Sequence, residues 1–212
     1  MKSVLIIGAG QFGTHIAKRM TGLKCEVMAI DSEEARINAI LPLVTNAQIG
    51  DSTNEDFMRS LGIPDYDVCI VTISGNFQNS LETTALLKEL GARKIIARAQ
   101  NDVQEKFLLR NGADETVYPE KQTAIRLAIK EASDDILDVF HLDHDLNIYE
   151  VRVPMEWHEK TIAALDIRKK HRVNIIAVRT QNQLAVPMPD MVLHEGDNVL
   201  LIGNMKDIHK AV

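Results

Sequence analysis

Three glycines, Gly8, Gly10 and Gly13, stand in the spacing G-x-G-x-x-G directly after the apolar run of residues 3–7 and open an amphipathic stretch at residues 12–20. In that context the spacing has a physical meaning that a bare glycine motif lacks. Gly8 permits a tight turn, Gly10 lets the backbone come close to a pyrophosphate, and Gly13 lets helix and strand pack together. Phosphates then sit at the helix N-terminus, where free N–H groups and the dipole favour anions. A second apolar run, residues 25–30, ends on Asp31-Ser32, about the ~20 residues downstream that this arrangement requires. A carboxylate there hydrogen-bonds a ribose 2′-OH and repels a 2′-phosphate. The expected ligand is therefore NAD(H), ATP, ADP or AMP, and not NADP, with Gly8, Gly10, Gln11, Phe12, Gly13, Asp31 and Ser32 around it.

Further apolar runs at residues 47–49, 68–73, 94–97 and 115–118 alternate with helical patterns at 33–41, 54–61, 76–90 and 103–110. Several runs are β-branched and nearly continuous, as strands covered on both faces should be. Gly22, Gly62, Gly91 and Gly112 fall where helices should end. Six strands alternating with helices predict an α/β, Rossmann-type, doubly wound parallel sheet. From Lys121 the pattern changes. Residues 121–133 read as a longer helix, which 134–140 can continue after a break. Short β-like segments follow at 146–153, 173–179, 184–186 and 198–202, with a helical stretch around 160–170. The expected division is a nucleotide-binding domain over 1–134, a linker over 135–145 where Asp134, Asp135, Asp138, Asp143 and Asp145 cluster with His141 and His144, and a smaller α+β domain over 146–212.

The composition narrows the function. A net charge of -6 argues against nucleic acid as a partner, because binding its backbone needs a basic surface. Cys25 and Cys69 sit in strand-like runs and read as small buried hydrophobes of a reducing compartment. No apolar run reaches the ~18 residues needed to span a bilayer, and Met1-Lys2 leads straight into the first run without a leader pattern. The expected location is cytoplasmic.

Each remaining strand end carries polar groups at the edge where ligands bind in open α/β sheets. Asp51-Ser52-Thr53 follows the third run; Asp51 or Ser52 either touches the ligand or caps the next helix. Thr72-Ile73-Ser74 and Asn76 follow the fourth, with Asn76 both a cap and a candidate contact. Arg98 follows the fifth, placed for a phosphate or for a salt bridge at a subunit contact. Glu120 follows the sixth. It suits a helix first turn, and beside phosphates it suits a hard cation, Mg²⁺ or Ca²⁺. No Ser-His-Asp or Cys-His arrangement has a recognisable local signature, and H-E-x-x-H and C-x-x-C are absent. A catalytic dehydrogenase would also need a substrate domain. An NAD-dependent oxidoreductase is thus the alternative reading, and a nucleotide-responsive subunit of some other transporter or enzyme a third.

Taken together, the residues resemble the RCK (KTN) family, the TrkA- and KtrA-type regulators of bacterial potassium channels and transporters. The resemblance runs over the glycine motif, Asp31, Gly50-Asp51-Ser52-Thr53, Ser60-Leu61-Gly62, the stretch from Thr83 to Gly91, Ile96 to Gln100, Gly112-Ala113-Asp114, and Tyr118 to Lys121. The last third looks like a TrkA-C domain through Leu165-Asp166-Ile167-Arg168, Asn174 to Val178, Glu195-Gly196-Asp197 and Ile202-Gly203. One departure is Gln11, where many members place an Arg that reaches a nucleotide phosphate; Arg98 could supply that charge. The resemblance implies a gating ring: dimers assembling into an octamer beneath a membrane potassium channel or transporter, at the inner face of the membrane. It also implies a cleft for cyclic di-AMP at Arg168, Asn174, Ile175 and Pro187. From the residues alone, the basic run from Arg168 to Arg172 reads equally as a solvated helix end.

Overall fold

The computed structural model describes residues 1–143 and 145–212, so His144 lies outside the described residues. The chain divides into two compact units, Met1–Glu120 and Lys121–Val212.

The first unit alternates β1 (Ser3–Ile7), α1 (Gln11–Gly22), β2 (Glu26–Asp31), α2 (Glu34–Ile40), β3 (Asn46–Ile49), α3 (Glu55–Ser60), β4 (Val68–Val71), α4 (Phe77–Glu89), β5 (Ile95–Arg98), α5 (Asp102–Arg110) and β6 (Glu115–Val117). The strands form one sheet in the order β3-β2-β1-β4-β5-β6, every pair parallel. Parallel sheets are covered on both faces, and the side chains sort accordingly. Val4, Ile6, Val27, Ala29, Val68 and Ile70 pack on one side with residues of α1 and α2. Their neighbours Leu5, Ile7, Met28, Ile30, Cys69 and Val71 pack on the other with Met58, Leu87 and Leu108 of α3, α4 and α5. The chain reverses direction across the sheet between β1 and β4, and such a switch point opens a crevice at the carboxyl ends of the strands. Helix α1 ends at the expected glycine. Gly22 is its last helical residue, and the left-handed residue that ends the turn is Lys24, at φ 64.

Helix α6 (Pro119–Glu131) leads into the second unit. There follow β7 (Ile136–His141), β8 (Asn147–Arg152), β9 (Lys160–Thr161), α7 (Ile162–Leu165), α8 (Ile167–His171), β10 (Asn174–Thr180), β11 (Gln183–Ala185), β12 (Val192–Leu193), β13 (Asn198–Gly203) and α9 (Met205–Ala211). Strands β11-β10-β13-β8-β7 make a five-stranded sheet and β12-β9 a separate pair. One face of the larger sheet, with Tyr149, Val151, Val199 and Leu201, builds a core with Trp157, Leu165, Ile167 and Ile208.

Two expectations are corrected here. Residues 134–140 do not continue a helix, and residues 135–145 are not simply a linker. Ile136–His141 is β7, antiparallel to β8 with a bulge between Ile136 and Asp138. Ile136 and Val139 are buried, while Asp138 is held by the Arg126 guanidinium at Nε–Oδ1 2.7 Å. An acid in an edge strand is tolerable when paired, which is how a strand hides in an aspartate-rich stretch. The second correction concerns residues 160–170, which form no single helix. Asp166 is left-handed (φ 46) and separates α7 from α8.

Candidate nucleotide-binding site

The turn from β1 to α1 is shaped by contacts that exclude side chains. Gly8 has φ +101, and a Cβ there would lie 3.0 Å from Thr72 Oγ1 and 3.2 Å from the Ile73 backbone nitrogen. A Cβ on Gly13 would lie 2.1 Å from the Gly8 carbonyl oxygen. The Gly8 amide donates to the Ile30 carbonyl at 2.8 Å, and the Thr72 hydroxyl donates to the Gly8 carbonyl at 2.6 Å. Thr72 is thus the prop beneath the loop. Gly10 is the opposite case: nothing lies within 4 Å of where its Cβ would be. It caps α1 without a side-chain hydrogen bond, and no acid sits in the first turn. The first helical bond runs from the Thr14 amide to the Gly10 carbonyl at 2.9 Å. The amides of Gln11, Phe12 and Gly13 therefore have no helical acceptor. Open space, free donors and the positive end of the dipole make this an anion cradle.

Asp31 ends β2 beside the cradle and is only 7% exposed. Its Oδ2 accepts from the Ala9 amide at 2.7 Å and its Oδ1 from the Glu33 amide at 2.9 Å. An ionised carboxylate offers about four acceptor positions, so capacity remains for ribose hydroxyls. Ser32 is exposed next to it.

At the third strand end the cap is neither Asp51 nor Ser52. Asn54 caps α3, accepting from the Phe57 amide at 2.9 Å. Asp51 instead accepts from the Thr53 amide at 2.9 Å and the Thr53 hydroxyl at 2.8 Å. These two bonds, the backbone one foremost, hold its carboxyl below the usual range. Ser52 is buried and shares a 2.7 Å hydrogen bond with Thr83 of α4. At the fourth end Asn76 does cap α4, accepting from the Asn79 amide at 3.2 Å. Ser74 is exposed and Ile73 half-buried.

At the fifth end the Arg98 guanidinium lies over the Phe12 ring, 5.2 Å from its centroid, which connects the β5 end to the first turn of α1. Arg98 also pairs with Glu120, and its Nε is buried without a hydrogen-bond partner among the described residues. The Glu120 carboxyl is held below its ordinary range, first by its own backbone amide and then by Arg98. Glu120 is therefore not the uncompensated carboxylate that a metal would have to neutralise; Arg98 already supplies the cation. Among the described residues no group of three or more His, Cys, Asp or Glu is placed to hold a metal.

In the second unit, Arg168, Asn174, Ile175 and Pro187 line one cleft of about 400 Å³, together with Ile162 and Asp166. Arg172, at the end of the basic run, is left-handed at φ 59, and Asp166 faces Lys169 at 3.6 Å.

The matches to known families follow the same division. The TrkA-N domain matches residues 4–119, and the TrkA-C domain matches residues 148–212. The chain belongs to the family that joins these two domains. The Ktr system potassium uptake protein C of Bacillus subtilis (strain 168) is 37% identical over 99% of this chain and 95% of its own length. The fold is shared with a crystal structure of the GsuK RCK domain, at TM-score 0.71 and 18% identity over 98% of this chain. The GsuK channel bound to NAD aligns at TM-score 0.55 and 22% identity over 99% of this chain. The chain spans less than half of either solved chain, 46% and 38%.

Within this TrkA-type chain, Ala9, Glu33, Arg36 and Thr83 have roles that the motif does not announce. Ala9 acts through its backbone, which has no sequence signal. Thr83 is found only through the fold, 31 residues from Ser52. Arg36 stands within 3.5 Å of Asp31 and 2.8 Å of Glu33; the i,i+3 spacing of Glu33 and Arg36 was the available signal.

Proposed function

We propose that this chain is a nucleotide-sensing regulatory subunit of a potassium uptake system rather than an enzyme. The observation that carries the reading is the uncapped start of α1 at Gly10, open to solvent and flanked by the buried Asp31. It occurs in a chain 37% identical to a Ktr potassium uptake protein along nearly all its length. The phosphates of ATP, ADP or NAD(H) lie on the amides of Gln11, Phe12 and Gly13. The ribose hydroxyls meet Asp31, and Ser32, Asp51, Thr53, Ile73, Ser74 and Asn76 form the rim, with Ser52 buried behind them against Thr83. Gln11 supplies no positive charge, so Arg98 is the phosphate's cation. A phosphate that draws Arg98 away leaves Glu120 free to hold Mg²⁺ or Ca²⁺.

The protein works as a homo-oligomer, a dimer that builds an octameric ring, beneath a membrane potassium channel or transporter at the cytoplasmic face. Nucleotides shift the ring by binding its two states with different affinity. No described helix is long and apolar enough to cross a membrane. The cleft at Arg168, Asn174, Ile175 and Pro187 is the place for a second anionic effector, cyclic di-AMP.

Mass spectrometry of molecules released from freshly purified protein tests the reading. An adenine nucleotide in the wild type and none in Gly10→Ala is expected. Turnover of NADH to NAD with a carbonyl substrate would favour the oxidoreductase instead.

A further inference from the structure

The ribose end of the crevice carries a charge arrangement with two opposed signals. Asp31 at the end of β2 favours a free 2′-OH, whereas an arginine just beyond it is the group that accommodates a 2′-phosphate. This chain has both. Arg36, on α2, stands with Nη1 3.5 Å from Asp31 Oδ2 and with its side chain 47% exposed. Its other terminal nitrogen, Nη2, is 2.8 Å from Glu33 Oε1.

Glu33 occupies the N-cap of α2, a position that Ser, Thr, Asp and Asn fill best. Its side chain makes no capping bond. The carboxylate is turned to Arg36 instead, while its backbone amide is donated to Asp31 at 2.9 Å. One residue thus grips both the ribose anchor and the nearby cation. The three charges sum to one negative, so an approaching 2′-phosphate meets a net repulsive cluster. Without the Glu33 carboxylate, Asp31 and Arg36 would cancel, and Arg36 would lose the nearer of its two partners.

We infer that Glu33 is the specificity-determining residue that keeps 2′-phosphorylated nucleotides out, by holding Arg36 in an ion pair that a 2′-phosphate would otherwise take. This rests on the reading of the Gly8–Asp31 crevice as an adenine-nucleotide site. Asp31 alone is then insufficient to define the preference, since Arg36 would offset it.

The test is calorimetric titration of the full chain with two matched pairs, AMP against adenosine 2′,5′-bisphosphate and NADH against NADPH. Wild type is expected to favour the member without the 2′-phosphate in each pair that binds. Glu33→Gln keeps the shape and the backbone amide. It should raise affinity for the 2′-phosphorylated member by about tenfold or more, the scale of one nearby charge partly screened by solvent, and change its counterpart by less than about threefold. Adding Arg36→Ala to Glu33→Gln should abolish the gain. If Glu33→Gln leaves the 2′-phosphorylated affinities unchanged while AMP or NADH still binds, the role of Glu33 is overturned and the nucleotide site stands. If wild type binds none of the four, and neither ADP nor ATP, the site reading itself falls, and this inference with it.

Discussion

Asp31 ties the glycine loop to the start of α2, because the Ala9 and Glu33 amides both donate to its buried carboxylate. Asp31→Ala leaves two donors without acceptors, at about 1–3 kcal/mol each where water cannot replace them. Lower thermal stability of the nucleotide-free protein is expected, together with a fall in nucleotide affinity of about tenfold to a hundredfold. Unfolding scans and calorimetry measure the two separately. The glycines divide the same two roles more cleanly. Gly10 has extended backbone (φ -71, ψ -177) and open space around its missing Cβ. Gly10→Ala should therefore fold with little change in Tm and lose nucleotide binding, since its methyl occupies the phosphate's approach. Gly13→Ala puts a methyl 2.1 Å from the Gly8 carbonyl oxygen; it should lose about 1–3 kcal/mol of stability as the loop shifts. A Gly10→Ala protein that binds nucleotide normally would refute the cradle. The Arg98–Glu120 pair predicts an acid response. The folded carboxyl titrates below its ordinary 4.5, so the stability it contributes is present above that value and is lost as pH falls through the folded pKa. Arg98→Ala should move the Glu120 titration upward, as read by carboxyl ¹³C NMR, but not wholly to the ordinary value, because its own amide still contributes. With the Glu120 side chain 56% exposed, the effect on overall stability should be small.

At the scale of elements, β7 offers the plainest test. A bonded edge strand resists proteolysis and an open linker does not. Thermolysin under native conditions should leave the bonds within Ile136–His141 intact, and cutting there would show that the strand is not formed in solution. The sequence made the first unit legible because the central strands β1, β2 and β4 are built on nearly continuous apolar runs and the helices between them carry their own period. Thus β1 and β6 begin where expected, and α2 to α5 differ from expectation only at their ends. The glycine cradle and Asp31 were legible for the same reason, being local to one strand-turn-helix and the next strand end. The second unit was harder to read. Strands β9 and β12 have two residues each, too short for any alternation, and the break at Asp166 depends on a non-glycine residue adopting φ 46. The Ser52–Thr83 bond and the Arg98–Phe12 contact join distant segments, which a single sequence does not reveal.

The chain carries the proposed nucleotide crevice in Met1–Glu120 and a cleft of its own in Lys121–Val212. In the proposed ring these are two inputs to one equilibrium, and each ligand contributes only its differential affinity for the two states. The measurement that bears most directly on this account is potassium flux in liposomes holding the membrane subunit of a Ktr-type system, with this protein added and ADP, ATP or NADH supplied in turn. Flux should depend on which nucleotide is present when wild-type protein is added. That dependence should vanish with Gly10→Ala, although the variant still folds and still binds the membrane subunit. Flux indifferent to every nucleotide with wild-type protein bound, or equally responsive with Gly10→Ala, would contradict it.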